Sequence, residues 1–176
     1  MTKRRSKART FMIAATLLTC ANGCTRSPQG AGSVQSTRRP LDVRSSADVV
    51  RLQGSGTAMS QPGAGEALIV FTVDENYHVN ANPATYPYLI ATEITTDKVE
   101  GLQVGKPIYP AAVKKKFEFA EEPLAVYEGQ VQIRLTFTAT RKGTLLLPYH
   151  LRVQACDNEK CFPPATIDGK TSINVQ

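Results

Sequence analysis

Two cysteines near the carboxyl-terminal end of the chain, Cys156 and Cys161, have the residue type and the spacing for thiol–disulfide chemistry. Only four residues separate them, so a disulfide between them closes a short loop and gains only about 2 kcal/mol from lost chain entropy. A disulfide that merely stabilises a fold gains more by joining distant segments. The spacing therefore favours exchange, in which a thiolate attacks a disulfide sulfur. A structural clip that pins a loop is the alternative.

The other two cysteines lie in a segment with the pattern of an export signal. Five basic residues precede the apolar stretch 11–19, which is too short for a permanent transmembrane helix. Small residues then precede Cys24, an arrangement that resembles the lipobox of bacterial lipoproteins, although Ala21 stands where leucine is preferred. We expect a lipoprotein-type signal peptide over residues 1–23, removal of Cys20 with it, and a lipid on Cys24. Ordinary cleavage nearby, without a lipid, is the alternative.

The basic character of the whole chain belongs largely to this signal. The sequence has 21 basic and 15 acidic residues. Five of the basic residues and none of the acidic ones lie in residues 1–23, so 16 basic and 15 acidic residues remain after removal of the signal. A nearly neutral mature protein argues against nucleic acid and anionic lipid as partners. We expect membrane contact through the lipid anchor alone. Export to a bacterial periplasm would also place the cysteine pair where disulfides persist.

Two regions follow the signal. Residues 24–41 are rich in Ser, Gly, Gln, Thr and Arg and nearly lack large apolar side chains, so we expect a flexible tether. Residues 42–176 have the size of one ordinary domain.

The periodicity of residues 42–176 is that of strands. Apolar and polar residues alternate over 131–139 and again over 145–155, as expected for strands with one buried and one solvated face. Further strand candidates are 49–52, 68–73, 88–95, 99–104 and 166–175. No sustained helical period is present. The pattern predicts an all-β fold, an immunoglobulin-like antiparallel β-sandwich of about seven strands.

This pattern also places the cysteine pair. Alternation along 145–155 puts Cys156 on the face opposite Leu151 and Val153, so we expect its sulfur to be reachable from solvent. A short polar loop leads to Cys161, and a Pro-Pro pair stiffens the exit from the loop. Exposed placement on a rigid sheet edge favours exchange chemistry.

Five short motifs support a family resemblance: YHVNANP at 77–83, IYP at 108–110, VYEG at 126–129, QAC at 154–156 and CFPP at 161–164. In this order, and with the export signal, they resemble the amino-terminal domain of the bacterial thiol:disulfide interchange protein DsbD. The resemblance covers approximately residues 42–176. It implies an immunoglobulin-like domain that passes reducing equivalents to periplasmic partners by protein-disulfide exchange, without a bound cofactor.

The resemblance also implies roles for particular residues. Cys156 and Cys161 would be the redox couple, with the mixed disulfide to a thioredoxin-like partner formed at Cys161. Phe119, beside Glu118, would lie in a cap loop that shields the couple, and Phe117 is a second possible cap aromatic.

Tyr77 and His78 match the tyrosine-rich segment beside the couple. No multi-span segment and no thioredoxin domain follow Gln176 in this sequence, so we expect either a separate membrane electron donor or a different function on the same scaffold.

A non-catalytic envelope binding module remains the alternative function. His78 and His150 could join the two cysteines in a site for zinc or copper(I), whose ligands are thiolates and imidazoles. An adhesion-type sandwich with a purely structural disulfide would also fit the pattern.

Overall fold

The computed structural model describes residues 45–176. The signal peptide expected over 1–23, the lipid on Cys24 and the tether expected over 24–41 lie outside the described residues. Within residues 45–176 there are twelve strands, one short 3-10 turn at Ser46–Asp48, and no α-helix. No helix in this described part is long and apolar enough to cross a bilayer.

The strands are short except for four. In chain order they are β1 (Val50–Gln53), β2 (Ser55–Met59), β3 (Gly63–Val73), β4 (His78–Asn80), β5 (Glu93–Thr96), β6 (Leu102–Ile108), β7 (Val113–Lys115), β8 (Leu124–Tyr127), β9 (Gln130–Ala139), β10 (Gly143–Val153), β11 (Ala155–Cys156) and β12 (Ala165–Val175). They form three four-stranded sheets with the orders β1-β3-β9-β6, β2-β12-β10-β5 and β11-β4-β8-β7.

The main core is built by the four long strands. Alternate residues of β9 and β10 are buried, which confirms the alternation read from the sequence. Fully buried side chains on the first two sheets include Ile133, Leu135, Leu147, Leu151 and Ile173. The all-β, immunoglobulin-like sandwich predicted from the pattern is confirmed.

Several expectations about strands need correction. Residues 45–176 contain twelve strands instead of about seven. One pair, β2 with β12, is parallel, while the other strand pairs are antiparallel as predicted. The strand expected at 88–95 begins only at Glu93. The apolar side chains before it, Tyr86 and Leu89, pack against a second small core formed by Phe117, Leu124 and Val126. Their apolar character therefore reflects packing in a loop and not a sheet.

The predicted exposure of Cys156 is wrong. The strand β10 ends at Val153, and after Gln154 the chain enters β11, which belongs to the third sheet. Both residues of β11, Ala155 and Cys156, are fully buried. Alternation holds only within one continuous strand, so it gives no information on side chains beyond the point where the chain changes sheets.

The short turn at Ser46–Asp48 holds the cysteine segment at both ends. The Ser46 hydroxyl, itself fully buried, donates to the carbonyl of Pro163 at 2.7 Å. It also accepts from the backbone N–H of Ala155 at 2.8 Å, and the Ser46 N–H donates to the same Pro163 carbonyl at 3.1 Å. One side chain thus joins the residue before Cys156 to a residue that follows Cys161.

Replacing Ser46 with Ala should lower the free energy of unfolding by about 1–3 kcal/mol, because the buried Ala155 N–H loses its acceptor. Urea unfolding of the oxidised protein measures this loss. Thr144→Ala is the matched control, since its exposed hydroxyl donates to Asn174 at 2.8 Å. Its loss should change the free energy of unfolding by no more than about 0.5 kcal/mol. Equal losses in the two variants would contradict an anchoring role for Ser46.

Candidate redox site

Cys156 and Cys161 form a disulfide, with their Cα atoms 3.9 Å apart. The two cysteines differ in burial: Cys156 is 0% exposed, whereas Cys161 is half-buried. Cys156 lies in β11 at the edge of the third sheet, and Cys161 follows the loop that leaves it. A protein approaching from solvent therefore meets Cys161 before Cys156.

The four residues between the cysteines form a loop with its own hydrogen bonds. The Asp157 carboxylate accepts from the N–H groups of Glu159 and Lys160, both at 2.8 Å. The Asp157 N–H donates to the carbonyl of Lys160 at 2.9 Å, and the Phe162 N–H donates to that of Ala155 at 2.8 Å. An aspartate that binds backbone N–H groups two and three residues on is a common device in turns. These bonds join the two ends of the loop in addition to the disulfide.

Gln154 connects this loop to the neighbouring part of the fold. Its amide nitrogen donates to the carbonyl of Phe162 at 3.4 Å. Its amide oxygen accepts from the Ile90 N–H at 3.4 Å and from the side chain of Asn80 at 3.5 Å. Asn80 is fully buried and also donates to the Ile90 carbonyl at 3.1 Å. The glutamine of the QAC motif thus links the cysteine loop to β4 and to the loop after it.

His78 lies directly opposite Cys156 in the antiparallel pair of β4 and β11. Its side chain is 1% exposed, and its Nε2 atom is buried without a hydrogen-bond partner among residues 45–176. The pKa of His78 is lowered to about 4, mainly by burial; Lys115 also lowers it, while Glu128 and Asp157 act in the opposite direction. The imidazole is therefore neutral at neutral pH.

Tyr77 is connected to the second cysteine of the couple through Phe162. Its half-buried ring packs against Phe162, with centroids 5.8 Å apart, and Phe162 directly follows Cys161. The Lys160 ammonium lies 5.5 Å from the centroid of the Phe162 ring. Tyr77 therefore contacts the residue after Cys161, and His78 is the cross-strand neighbour of Cys156.

Two phenylalanines form a stack on His78. The Phe117 ring is 3% exposed and stacks on the imidazole with centroids 4.1 Å apart. Phe119 stacks on Phe117 at 5.4 Å and is 43% exposed. Phe117 is therefore the inner ring and Phe119 the outer ring, and Glu118 between them is exposed.

The loop that carries these rings is held by backbone contacts. The Ala120 N–H donates to the Phe117 carbonyl at 3.2 Å, and the Lys116 ammonium donates to the carbonyls of Ala120, at 2.6 Å, and of Glu121. On the neighbouring strand, the Lys115 ammonium lies 2.5 Å from the Glu128 carboxylate and 5.6 Å from the centroid of the Phe117 ring. The stack thus sits between an ordered turn and an ion pair.

His150, proposed with His78 as a metal ligand, has other partners. It lies in β10, where its Nδ1 is 2.6 Å from the Asp168 carboxylate and its Nε2 is 3.3 Å from that of Asp97. Both contacts raise the pKa of His150. In the part of the chain that the structure describes, no group of three or more His, Cys, Asp or Glu side chains could hold a metal ion.

Ser46 is the contributor to the site that sequence reasoning missed. It lies 117 residues from Pro163, and a serine in a polar stretch carries no signal of such a contact. Asn80 was noticed only as part of a motif. Its burial in a three-residue strand leaves no alternation that could have predicted its role.

A sequence model of the family described as "Thiol:disulfide interchange protein DsbD, N-terminal" matches residues 55–172. No curated protein sequence matches the chain significantly.

Solved structures give similar matches. The reduced amino-terminal domain of DsbD from Neisseria meningitidis is 20% identical with a TM-score of 0.45, over 72% of this chain and 85% of that one. The amino-terminal periplasmic domain of ScsB from Proteus mirabilis is 15% identical with a TM-score of 0.42, over 71% of this chain and 45% of that one.

The family match spans more than half of the chain and includes both cysteines, His78 and the two stacked phenylalanines. The resemblance read from the motifs is confirmed, and the Cys156–Cys161 disulfide belongs to a thiol–disulfide interchange module. The chain is a member of the family of DsbD amino-terminal domains.

Proposed function

We propose that the protein is a periplasmic thiol–disulfide interchange protein that relays reducing equivalents between protein partners through the Cys156–Cys161 couple. The observation that carries the proposal is the unequal burial of the two cysteines inside a domain of this family. Cys156 is fully buried and Cys161 is half-buried, so one sulfur suits contact with a partner and the other suits resolution of the mixed disulfide.

The relay consists of two exchange steps. In the first, the Cys161 thiolate attacks a disulfide sulfur of the partner; a mixed disulfide forms, and the partner's other sulfur leaves as a thiolate. In the second, the Cys156 sulfur attacks that of Cys161, and the second sulfur of the partner leaves. Two electrons pass to the partner, and the couple returns to its disulfide form.

The partners that family membership supports are thioredoxin-like periplasmic proteins downstream and a membrane electron donor upstream. Each exchanges a disulfide for a dithiol, so the relay requires no bound cofactor. A lipid on Cys24 would keep the domain near such a donor. A flexible tether over residues 24–41 would allow the domain to move and contact its partners.

The cap loop is proposed to act as a gate that shields the disulfide, and this gate contains two aromatic rings. Phe117 covers His78, the cross-strand neighbour of Cys156, and Phe119 covers Phe117 from the solvent side. The exposed carboxylates of Glu118, Glu121 and Glu122 flank the outer ring. Their negative charge would repel small thiolates, while the apolar rings would exclude water and reagents from the couple.

A redox titration tests the central proposal. The couple should behave as a reversible two-electron couple with a potential above the roughly −300 mV below which structural disulfides fall. Thiol trapping after equilibration with glutathione measures the reduced fraction. Full burial of Cys156 also suits a structural clip, and a native disulfide that resists excess reduced thioredoxin would establish that role instead.

Single cysteine variants test which cysteine bonds to the partner and which one resolves the mixed disulfide. Cys156→Ser should accumulate a mixed disulfide with a thioredoxin-like partner, because the resolving sulfur is gone. Cys161→Ser should trap little, because the remaining Cys156 is buried. Non-reducing electrophoresis measures the adduct. Equal trapping by both variants would refute the assigned roles and leave the exchange chemistry intact.

Cap variants test the gate. Phe119→Ala should raise the rate at which dithiothreitol opens the disulfide, with little loss of stability, because this ring is partly exposed. Phe117→Leu should raise the rate further, since it removes the ring that lies on His78. Leu146→Ala is the control, because Leu146 is a large exposed apolar residue on β10. Rates unchanged in both cap variants would mean that these rings form no gate.

A further inference from the structure

We propose that His78 is a catalytic residue of the exchange: it accepts the hydrogen bond of the Cys156 thiol in the dithiol form and takes up its proton when the mixed disulfide is resolved. This inference rests on the proposed exchange function and assigns the proton step that the function requires. It is carried by three features of the site: the cross-strand pairing, the unpartnered nitrogen and the fixed ring.

The pairing puts the two side chains next to each other. His78 and Cys156 are direct partners in the antiparallel pair of β4 and β11. Side chains at directly opposed positions project to the same side of a sheet, with Cβ atoms about 4.5–5.5 Å apart. Both residues are buried, so the imidazole is the polar group adjacent to a sulfur in the protein interior.

The nitrogen lacks a partner in the disulfide form. His78 Nε2 is buried without a hydrogen bond within residues 45–176, and an unpartnered buried polar atom calls for an explanation, of which a redox role is one. A disulfide sulfur has no proton to donate. Reduction places an S–H group on Cys156, and this donor fits the unused acceptor.

The ring is held in place for this contact. Phe117 stacks on the imidazole at 4.1 Å, which restricts its rotation. The charged groups near His78 are Glu128, Lys115 and Asp157. Glu128 and Lys115 form an ion pair with each other, and the Asp157 carboxylate accepts two backbone N–H groups of its own loop. The pKa of about 4 keeps the imidazole neutral, so that Nε2 is available as an acceptor.

With His78 as the proton acceptor, the protons, bonds and electrons of the resolving step are all accounted for. The Cys156 S–H gives its proton to His78 Nε2, and the Cys156 sulfur attacks that of Cys161. The Cys156–Cys161 bond forms, the bond between Cys161 and the partner breaks, and the partner's sulfur leaves as a thiolate. The imidazolium releases its proton, and the departing thiolate takes up one. The couple is oxidised, and the partner disulfide has been reduced to a dithiol.

The test compares variants of the whole chain that differ at His78. His78→Phe keeps a ring for the stack on Phe117 but removes both nitrogens. We expect the equilibrium constant against dithiothreitol to shift about tenfold toward the disulfide, a change of about 30 mV for a two-electron couple. His78→Gln keeps an acceptor but not a proton base. The equilibrium constant of this variant against dithiothreitol should lie close to the wild-type value. Its mixed disulfide with thioredoxin should still be resolved more slowly than that of the wild type in stopped-flow measurements.

Thr171→Val is the matched control. Thr171 lies in β12, is fully buried, and its hydroxyl also lacks a partner among residues 45–176. Its replacement should change neither the equilibrium constant nor the resolution rate. A wild-type constant and rate in His78→Phe, or the same shift in Thr171→Val, would overturn the proposal.

The two measurements distinguish this proposal from the relay on which it rests. The equilibrium with dithiothreitol needs no protein partner and reports on His78 by itself. Failure of the relay would show as a wild-type protein that does not react with reduced thioredoxin.

Discussion

Burial of Cys156 in the pair of β11 and β4 is the constraint on which the rest of the site depends. A sulfur that is fully buried needs a protein neighbour for each of its redox forms, because water is excluded. The pairing supplies His78 as that neighbour, and the stack on His78 covers it from the loop side. The same burial leaves Cys161 as the more accessible sulfur. The two sulfurs thus differ in accessibility, as the proposed roles of partner contact and resolution require.

The couple is held by polar contacts that do not involve sulfur. Ser46 ties Ala155 to Pro163, Gln154 ties Phe162 to the loop at Ile90, and the Asp157 carboxylate orders the loop between the cysteines. None of these hydrogen bonds uses a sulfur atom, so opening the disulfide does not by itself remove a donor or an acceptor from them. Two thiols held close together react as if at very high local concentration. Such a framework lowers the entropic cost of re-forming the disulfide and suits repeated exchange.

The sequence predicted what depends on long regular patterns and short motifs. Alternation along β9 and β10 is strong because each strand has ten or more residues with one face in the core, and the motifs identified the family. Cys156 was misplaced because the chain changes sheets at Gln154, where periodicity stops. The three residues of β4 are all buried, so no period existed to detect. Ser46 acts across 117 residues, a distance at which one sequence carries no signal of contact.

The stack of Phe117 on His78 connects the proposed gate with the proposed proton transfer. Phe117 covers the imidazole that lies opposite Cys156, so the ring that excludes solvent also keeps His78 buried. Burial is the main cause of the low pKa of His78. If a partner displaced the loop at 117–123, as the proposed gate requires, water would reach the imidazole. Its pKa would then rise toward the ordinary value of about 6.5, and it would become a stronger base. Docking of a partner would thereby strengthen the proton acceptor at the stage when Cys156 must lose its proton, and the couple would stay unreactive while the cap is closed.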